Sequence, residues 1–137
     1  MMLTGRCYCG AIRFEAEGEP RAMGQCHCRE CQYFTGGAEH LFMIMPAAGF
    51  RYVEGAPKQF TRSDLDAPAT REFCADCGTQ LATRTPRDPS IVVLKAGTLD
   101  DPKVYGGPQM VLWTADAQPF HRMPEGVPQF PGFPGGA

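Results

Sequence analysis

Seven cysteines, an odd number, fall into three tight groups along this chain of 137 residues. The groups are Cys7 and Cys9; Cys26, Cys28 and Cys31; and Cys74 and Cys77. Cysteines two positions apart make poor disulfide partners, because so short a loop strains the bond. A thiolate metal site needs several sulfur atoms around one point, and closely spaced cysteines supply two at a time. Metal binding therefore explains the grouping better than a disulfide framework.

The first and third groups together offer the four ligands of an enclosed tetrahedral zinc site. In an extended segment residues i and i+2 share a face, so we expect Cys7 and Cys9 to present both sulfurs from the end of a strand. The other two cysteines flank a predicted tight turn, in which Gly78 takes a positive φ. Removing this structural ion is expected to loosen or unfold the domain. Unligated buried cysteines and a rubredoxin-like iron site are the alternatives.

The middle group, Cys26-His27-Cys28-Arg29-Glu30-Cys31, offers three sulfurs and no obvious fourth ligand. Three protein ligands with one open position are typical of a reactive zinc site. We therefore predict a second zinc ion, whose open position is available to water, a thiol or a carbonyl oxygen. The alternative is a second structural zinc, whose fourth ligand would be His27, His40, His121 or an acidic residue.

Composition and charge exclude several classes of protein. The length suits one domain, residues 1–137, with an ordinary apolar core. A net charge of −2 lacks the basic excess typical of nucleic-acid binders. The longest apolar run, Leu41–Met45, is much shorter than a membrane span. The first residues lack the apolar stretch of a signal peptide. We therefore expect a cytoplasmic protein that binds neither nucleic acid nor membrane.

Short apolar or alternating segments, separated by glycine and proline turns, predict a mainly β domain. The middle cysteines are expected in a short turn or a single helical turn, and no long amphipathic helix is predicted. The stretch from about residue 118 to 137, rich in proline and glycine, is predicted to be an irregular C-terminal extension that packs on the domain or trails from it. The predicted strands lie in residues 11–18, 41–45, 50–53, 58–62, 71–73, 79–85, 91–96 and 110–113.

The residues around the cysteines form three recognisable strings. They are Gly5-Arg6-Cys7-Tyr8-Cys9-Gly10-Ala11-Ile12-Arg13-Phe14, Cys26-His27-Cys28-Arg29-Glu30-Cys31 and Phe73-Cys74-Ala75-Asp76-Cys77-Gly78-Thr79-Gln80-Leu81. With further stretches at 96–102 and 112–120, they resemble the glutathione-dependent formaldehyde-activating family, whose domain is shared with centromere protein V. The resemblance implies a single-domain β-tent stapled by two zinc ions. It assigns the structural ion to Cys7, Cys9, Cys74 and Cys77, and a more exchangeable ion to Cys26, Cys28 and Cys31.

The same resemblance implies an activity. It is that of a zinc-dependent carbon–sulfur lyase-type enzyme, which joins a thiol such as glutathione to a small aldehyde such as formaldehyde and gives S-hydroxymethylglutathione. Cys26, Cys28 and Cys31 would then be the ligands of the reactive zinc, and the partners would be the small-molecule thiol and aldehyde. The alternative is a non-catalytic zinc-binding module that acts through a protein partner.

Other chemistry is less constrained by the sequence. A thiol-redox enzyme needs a free nucleophilic cysteine, and none is left if seven cysteines hold two metals. Arginines are candidates for holding the carboxylates of a glutathione-like thiol. They are Arg29, Arg51, Arg62, Arg71 and Arg84. The acid–base group is open among His27, His121, Glu30 and Asp76.

Overall fold

Ten strands form two sheets in the computed structural model, which describes residues 1–135. The strands are β1 (Met2–Arg6), β2 (Arg13–Glu17), β3 (Ala22–Cys26), β4 (His40–Pro46), β5 (Phe50–Glu54), β6 (Lys58–Thr61), β7 (Thr70–Phe73), β8 (Gln80–Arg84), β9 (Ile91–Lys95) and β10 (Val111–Leu112). One α-helix, α1 (Arg29–Thr35), lies between β3 and β4 in the described part of the chain. Short 3-10 turns lie at Ala47–Gly49, Ala96–Thr98, Pro102–Tyr105 and Thr114–Asp116.

The smaller sheet has the strand order β1-β2-β5, and the larger has the order β10-β3-β4-β9-β8-β7-β6. Neighbouring strands are antiparallel in both sheets, except that β10 runs parallel to β3. The mainly β, single-domain fold predicted from the sequence is confirmed.

The main core lies between the two sheets. Successive side chains in a strand point to opposite faces, so β9 buries Val92 and Leu94 on one side of the larger sheet. Burying such a side chain contributes about 1.5–3 kcal/mol. The residues that fill this layer include Leu3, Phe14, Ala16 and Phe50 from the smaller sheet, and Met43, Met45, Val92 and Leu94 from the larger.

The opposite face of the larger sheet carries α1 and a second, smaller core. Phe42 and Val93 pack there with all three middle cysteines. The helix begins after Cys28, whose Sγ accepts a hydrogen bond from the backbone of Cys31, and ends at Gly36 in the left-handed region. At seven residues, α1 is longer than the single turn that we expected. This face therefore positions the middle cysteines against the sheet.

The predicted strand ranges include neither β1 nor β3. Residues Ala22–Cys26 lack regular alternation, because β3 lies inside the sheet between β4 and β10 and its last three residues are all buried. Gly24 is at its centre, where a Cβ atom would overlap the ring of Phe42 on the neighbouring strand. A glycine that usually weakens a strand is here what allows the ring to pack across it.

The C-terminal segment is irregular and contacts the larger sheet. The N–H of Val111 donates to the carbonyl of Pro128, and the N–H of Phe130 donates to the carbonyl of Val111, each at 2.9 Å. His121 is buried, with its Nε2 2.7 Å from the carbonyl oxygen of Gly37. The last two residues of the predicted extension, 136 and 137, lie outside the described residues. Within the described chain, no helix has the length and apolar character needed to cross a membrane.

A buried carboxylate joins the two sheets. Glu72 on β7 accepts hydrogen bonds from the hydroxyl of Tyr52 on β5 at 2.7 Å and from the amide of Gln59 at 2.9 Å, and lies 3.5 Å from Nε of Arg84. Burial and the neighbouring carboxylate raise the pKa of Tyr52. The hydroxyl therefore stays protonated and remains a donor to Glu72.

We expect the substitution Tyr52→Phe to lower the free energy of unfolding by about 2 kcal/mol, because it removes a hydrogen bond to a buried charge. Urea denaturation of the metal-loaded protein measures this loss. The matched control is Tyr8→Phe, since the Tyr8 side chain is 87% exposed. We expect the control to change stability by less than about 0.5 kcal/mol. Equal losses in the two variants would contradict a stabilising role for the Tyr52 hydroxyl.

Candidate functional site

The structure gathers the seven cysteines into two groups, and the sulfurs of each group lie within 4.8 Å of one another. None of the seven forms a disulfide. The partition is the one expected from their spacing, and the binding of metal stays a prediction. One group contains Cys7, Cys9, Cys74 and Cys77, and the other contains Cys26, Cys28 and Cys31.

Two similar turns build the four-sulfur group. The expectation that Cys7 and Cys9 lie in an extended segment is wrong, because the chain turns after β1 and the N–H of Gly10 donates to the carbonyl of Cys7 at 3.1 Å. In the turn between β7 and β8, the N–H of Gly78 donates to the carbonyl of Cys74 at 2.8 Å. Gly10 and Gly78 have φ values of 81° and 80°, a conformation that favours glycine.

Thr79 connects the two turns. Its Oγ1 accepts a hydrogen bond from the N–H of Tyr8 at 2.9 Å and lies 3.2 Å from the sulfur of Cys77. Hydrogen bonds from the Thr79 side chain and backbone lower the pKa of Cys77 to about 5. This sulfur is therefore ionised at neutral pH, as a metal ligand must be.

The sulfur separations test whether an ion fits. Cys7 and Cys9 have their sulfurs 3.6 Å apart, and the sulfurs of Cys9 and Cys74 are 3.8 Å apart. Zinc–sulfur bonds of about 2.3 Å in a tetrahedron place sulfurs about 3.8 Å from one another. The group therefore has the dimensions of a four-thiolate zinc site.

The three-sulfur group is built at the junction of β3 and α1. Cys26 ends β3, Cys28 caps α1, and Cys31 lies in the first turn of the helix. Hydrogen bonds with Cys26 and Cys31 hold the pKa of Cys28 well below its usual value. Hydrogen bonds with Cys28 and Cys31 raise the pKa of Cys26. Hydrogen bonding among the three sulfurs thus stabilises a thiolate within the group, and a thiolate favours a bound cation.

The histidines considered as a fourth ligand do not complete this group. His27 is fully buried, and its ring packs against His121 with ring centres 4.6 Å apart. His40 Nδ1 lies 3.4 Å from the sulfur of Cys31. Among the described residues, no histidine or acidic ligand atom lies within 4.8 Å of all three sulfurs. Within residues 1–135 the group therefore offers three candidate ligands, and no histidine or acidic side chain joins them as a fourth.

An open cleft of about 280 Å³ begins at the three-sulfur group. Its lining includes Cys31, His40, Arg71 and Lys95. A neighbouring groove of about 270 Å³ is lined by Glu30, Tyr33, Phe60 and Arg62. Phe34 and Arg71 line both cavities, so the two are adjacent. A molecule that binds beside Cys31 can extend along the helix into the groove.

Two basic side chains, Arg71 and Lys95, line the cleft together with the acidic side chain of Glu39. Arg71 stacks on the ring of Phe34 at 4.6 Å and lies 3.6 Å from the carboxylate of Glu30. Lys95 donates a hydrogen bond to Oγ1 of Thr83 at 2.7 Å. Burial lowers the pKa of Lys95 to about 7, while the negative charge of Cys31 opposes that effect. Burial also holds the pKa of His40 below its usual value.

The predicted anion-binding and acid–base residues are distributed unevenly. Of the five arginines, Arg62 and Arg71 line the cavities, whereas Arg51 pairs with Glu15 on the smaller sheet at 2.6 Å. Of the acid–base candidates, Glu30 lines the groove. Sequence reasoning missed Lys95, although one signal was available. A single lysine ends the apolar run Ile91–Leu94, where strand alternation places it on the face that carries α1.

Comparisons with known proteins agree with this arrangement. The sequence profile of the family described as glutathione-dependent formaldehyde-activating enzyme matches residues 2–116, which include all seven cysteines. A protein of Halomonas elongata, named as a candidate glutathione-dependent formaldehyde-activating enzyme, is 31% identical over 105 residues, covering 73% of this chain and 67% of that protein. A crystal structure of a Rhodobacter sphaeroides protein has a TM-score of 0.61 at 20% identity, covering 77% of this chain and 96% of that chain, and shows the same fold.

We expect the wild-type protein to bind two zinc ions and the variant Cys28→Ser to bind one, because only the three-sulfur group loses a ligand. Elemental analysis gives the stoichiometry, and circular dichroism reports the fold. Cys74→Ser is the comparison, since it disrupts the four-sulfur group that joins the two sheets and is expected to unfold the domain. Collapse of Cys28→Ser, or retention of both ions by it, would contradict the two-site arrangement.

Proposed function

The chain belongs to the glutathione-dependent formaldehyde-activating enzyme family, and on that premise we propose that it is a zinc-dependent enzyme of the carbon–sulfur lyase type. The reaction adds the sulfur of glutathione to the carbonyl carbon of formaldehyde, and the thiol proton ends on the carbonyl oxygen. The observation that carries the proposal is that Cys31, one of three clustered sulfurs without a fourth protein ligand, also lines an open cleft.

The donor set supports zinc at both cysteine groups, since thiolates are preferred zinc ligands. We assign the structural ion to Cys7, Cys9, Cys74 and Cys77, and the reactive ion to Cys26, Cys28 and Cys31. When bound at the three-sulfur group, zinc supplies a positive charge that keeps a nearby substrate thiol deprotonated at neutral pH. The protein's own residues then bind and orient the two reactants.

The charges of the cleft suit a thiol that carries carboxylates. Arg71 lies where the two cavities meet, and Arg62 lines the groove beyond it. Arginine binds carboxylates through two parallel hydrogen bonds, which fixes orientation as well as charge. We propose that Arg71 holds a carboxylate of glutathione while its sulfur lies beside Cys31.

We expect the protein to accelerate formation of the adduct from glutathione and formaldehyde above the spontaneous rate. The variant Cys28→Ser should lose this acceleration while keeping its fold, because the reactive ion is lost. Nuclear magnetic resonance with ¹³C-formaldehyde follows the product directly. A rate no faster than the spontaneous one, with both metals bound, would contradict the proposed activity. It would favour the alternative of a non-catalytic zinc-binding module that acts through a protein partner.

The variant Arg71→Met should raise the KM for glutathione about tenfold and leave kcat nearly unchanged, since one charge-assisted contact is worth about 1.5 kcal/mol. The matched control is Arg51→Met, which removes an arginine from the smaller sheet, and it should leave both constants unchanged. Initial rates at varied glutathione concentration measure the two constants. An unchanged KM in Arg71→Met would rule out this anchoring role.

A further inference from the structure

Lys95 is placed where an ordinary structural lysine is not expected. It is the last residue of β9, and its side chain shares a face of the sheet with Val93 and Phe42, beside α1. Its backbone is fixed as well, because the carbonyl of Lys95 accepts a hydrogen bond from Oγ1 of Thr98 at 2.8 Å. Lys95 is half-buried as a residue and lines the same cleft as Cys31.

The charge of Lys95 has no carboxylate partner. Its one side-chain hydrogen bond, among the described residues, goes to the neutral hydroxyl of Thr83. In the same part of the chain no acidic side chain lies within ion-pair distance of its Nζ. Removing an ammonium group from water without a partner is costly, and such groups concentrate at functional sites. Two of its three hydrogens are left for a molecule in the cleft.

Other groups in the cleft are less suited to give a proton. Arg71 stacks on Phe34 and lies near Glu30, and a guanidinium does not release its proton in proteins. His40 directs its Nδ1 at the sulfur of Cys31, 3.4 Å away, and its Nε2 is buried, so neither ring nitrogen is placed to give a proton to a molecule in the cleft. Lys95 lines the cleft beside Cys31 and uses one of its hydrogens on Thr83, so a remaining N–H can be given to an oxygen that becomes negative there.

We propose that Lys95 is a catalytic residue that donates its proton to the aldehyde oxygen while the thiol sulfur bonds to the carbonyl carbon. This inference rests on the proposed function. The sulfur lone pair forms the new C–S bond, and the π pair of the carbonyl moves to oxygen. That oxygen takes the ammonium proton and becomes the hydroxyl of the product. The proton lost by the incoming thiol restores Lys95, so each turnover moves one proton from sulfur to oxygen and needs no other reactant.

The test compares Lys95→Met, Lys95→Arg and the matched surface control Lys103→Met in both reaction directions. Lys95→Met should lower kcat about 100-fold for adduct formation and for its breakdown, since a positioned proton donor contributes on that order. The KM for the thiol should stay within about twofold and two zinc ions should remain bound, because Lys95 touches the oxygen of the aldehyde. Lys103, an exposed residue, should be replaceable without effect.

Lys95→Arg keeps the charge and cannot release the proton, so its kcat should fall about tenfold. A wild-type kcat in Lys95→Arg would overturn proton donation by Lys95. This variant remains the test of proton donation if Lys95→Met does not fold. Loss of zinc from Lys95→Met together with its activity would also overturn the inference, by showing a structural role. Absence of acceleration by the wild-type protein would end both the proposed function and this inference. Normal acceleration by wild type and Lys95→Met alike would end the inference alone.

Discussion

The architecture depends on the meeting of two short turns that are far apart in sequence. One turn follows β1 in the smaller sheet, and the other joins β7 to β8 in the larger sheet. Each ends in a glycine with a positive φ, and together they place four sulfurs within 4.8 Å. Four clustered thiolates repel one another unless a cation lies among them. Without a cation, the four-sulfur group therefore destabilises the fold through charge repulsion. With zinc bound, it cross-links the two sheets.

The larger sheet separates stability from chemistry. Its inner face meets the smaller sheet through apolar side chains and the buried carboxylate of Glu72. Its outer face carries α1, the three-sulfur group and the charged cleft. Alternation along β9 shows the division residue by residue, since Leu94 lies in the main core and Lys95 lines the cleft. Substitutions on the outer face can therefore change the cleft without opening the main core.

Sequence reasoning recovered what depends on local spacing. The cysteine groups, the alternating strand β2 and the turn at Gly78 all have signals within a few residues. It missed β3, which lies between β4 and β10 in the sheet. The last three residues of β3 are buried, so the strand lacks the alternation of apolar and polar residues that marks a half-exposed strand. It also gave Cys7 and Cys9 an extended backbone, because the spacing alone does not show the turn that Gly10 permits. Lys95 becomes notable only beside Cys31, a neighbour 64 positions away that tertiary structure supplies.

The position of helix α1 links the binding of a metal ion to the binding of a substrate thiol. Its capping residue Cys28 and its first-turn residue Cys31 belong to the three-sulfur group, while Phe34 in its last turn lines both cavities. The helix thus holds two sulfurs of the three-sulfur group and also forms part of the wall of both cavities. If an ion at its N-terminus and a thiol along its side each favour the same position of the helix, their affinities are reciprocally linked. The protein would then retain the exchangeable ion more tightly when substrate is bound, and it would bind substrate more tightly when the ion is present.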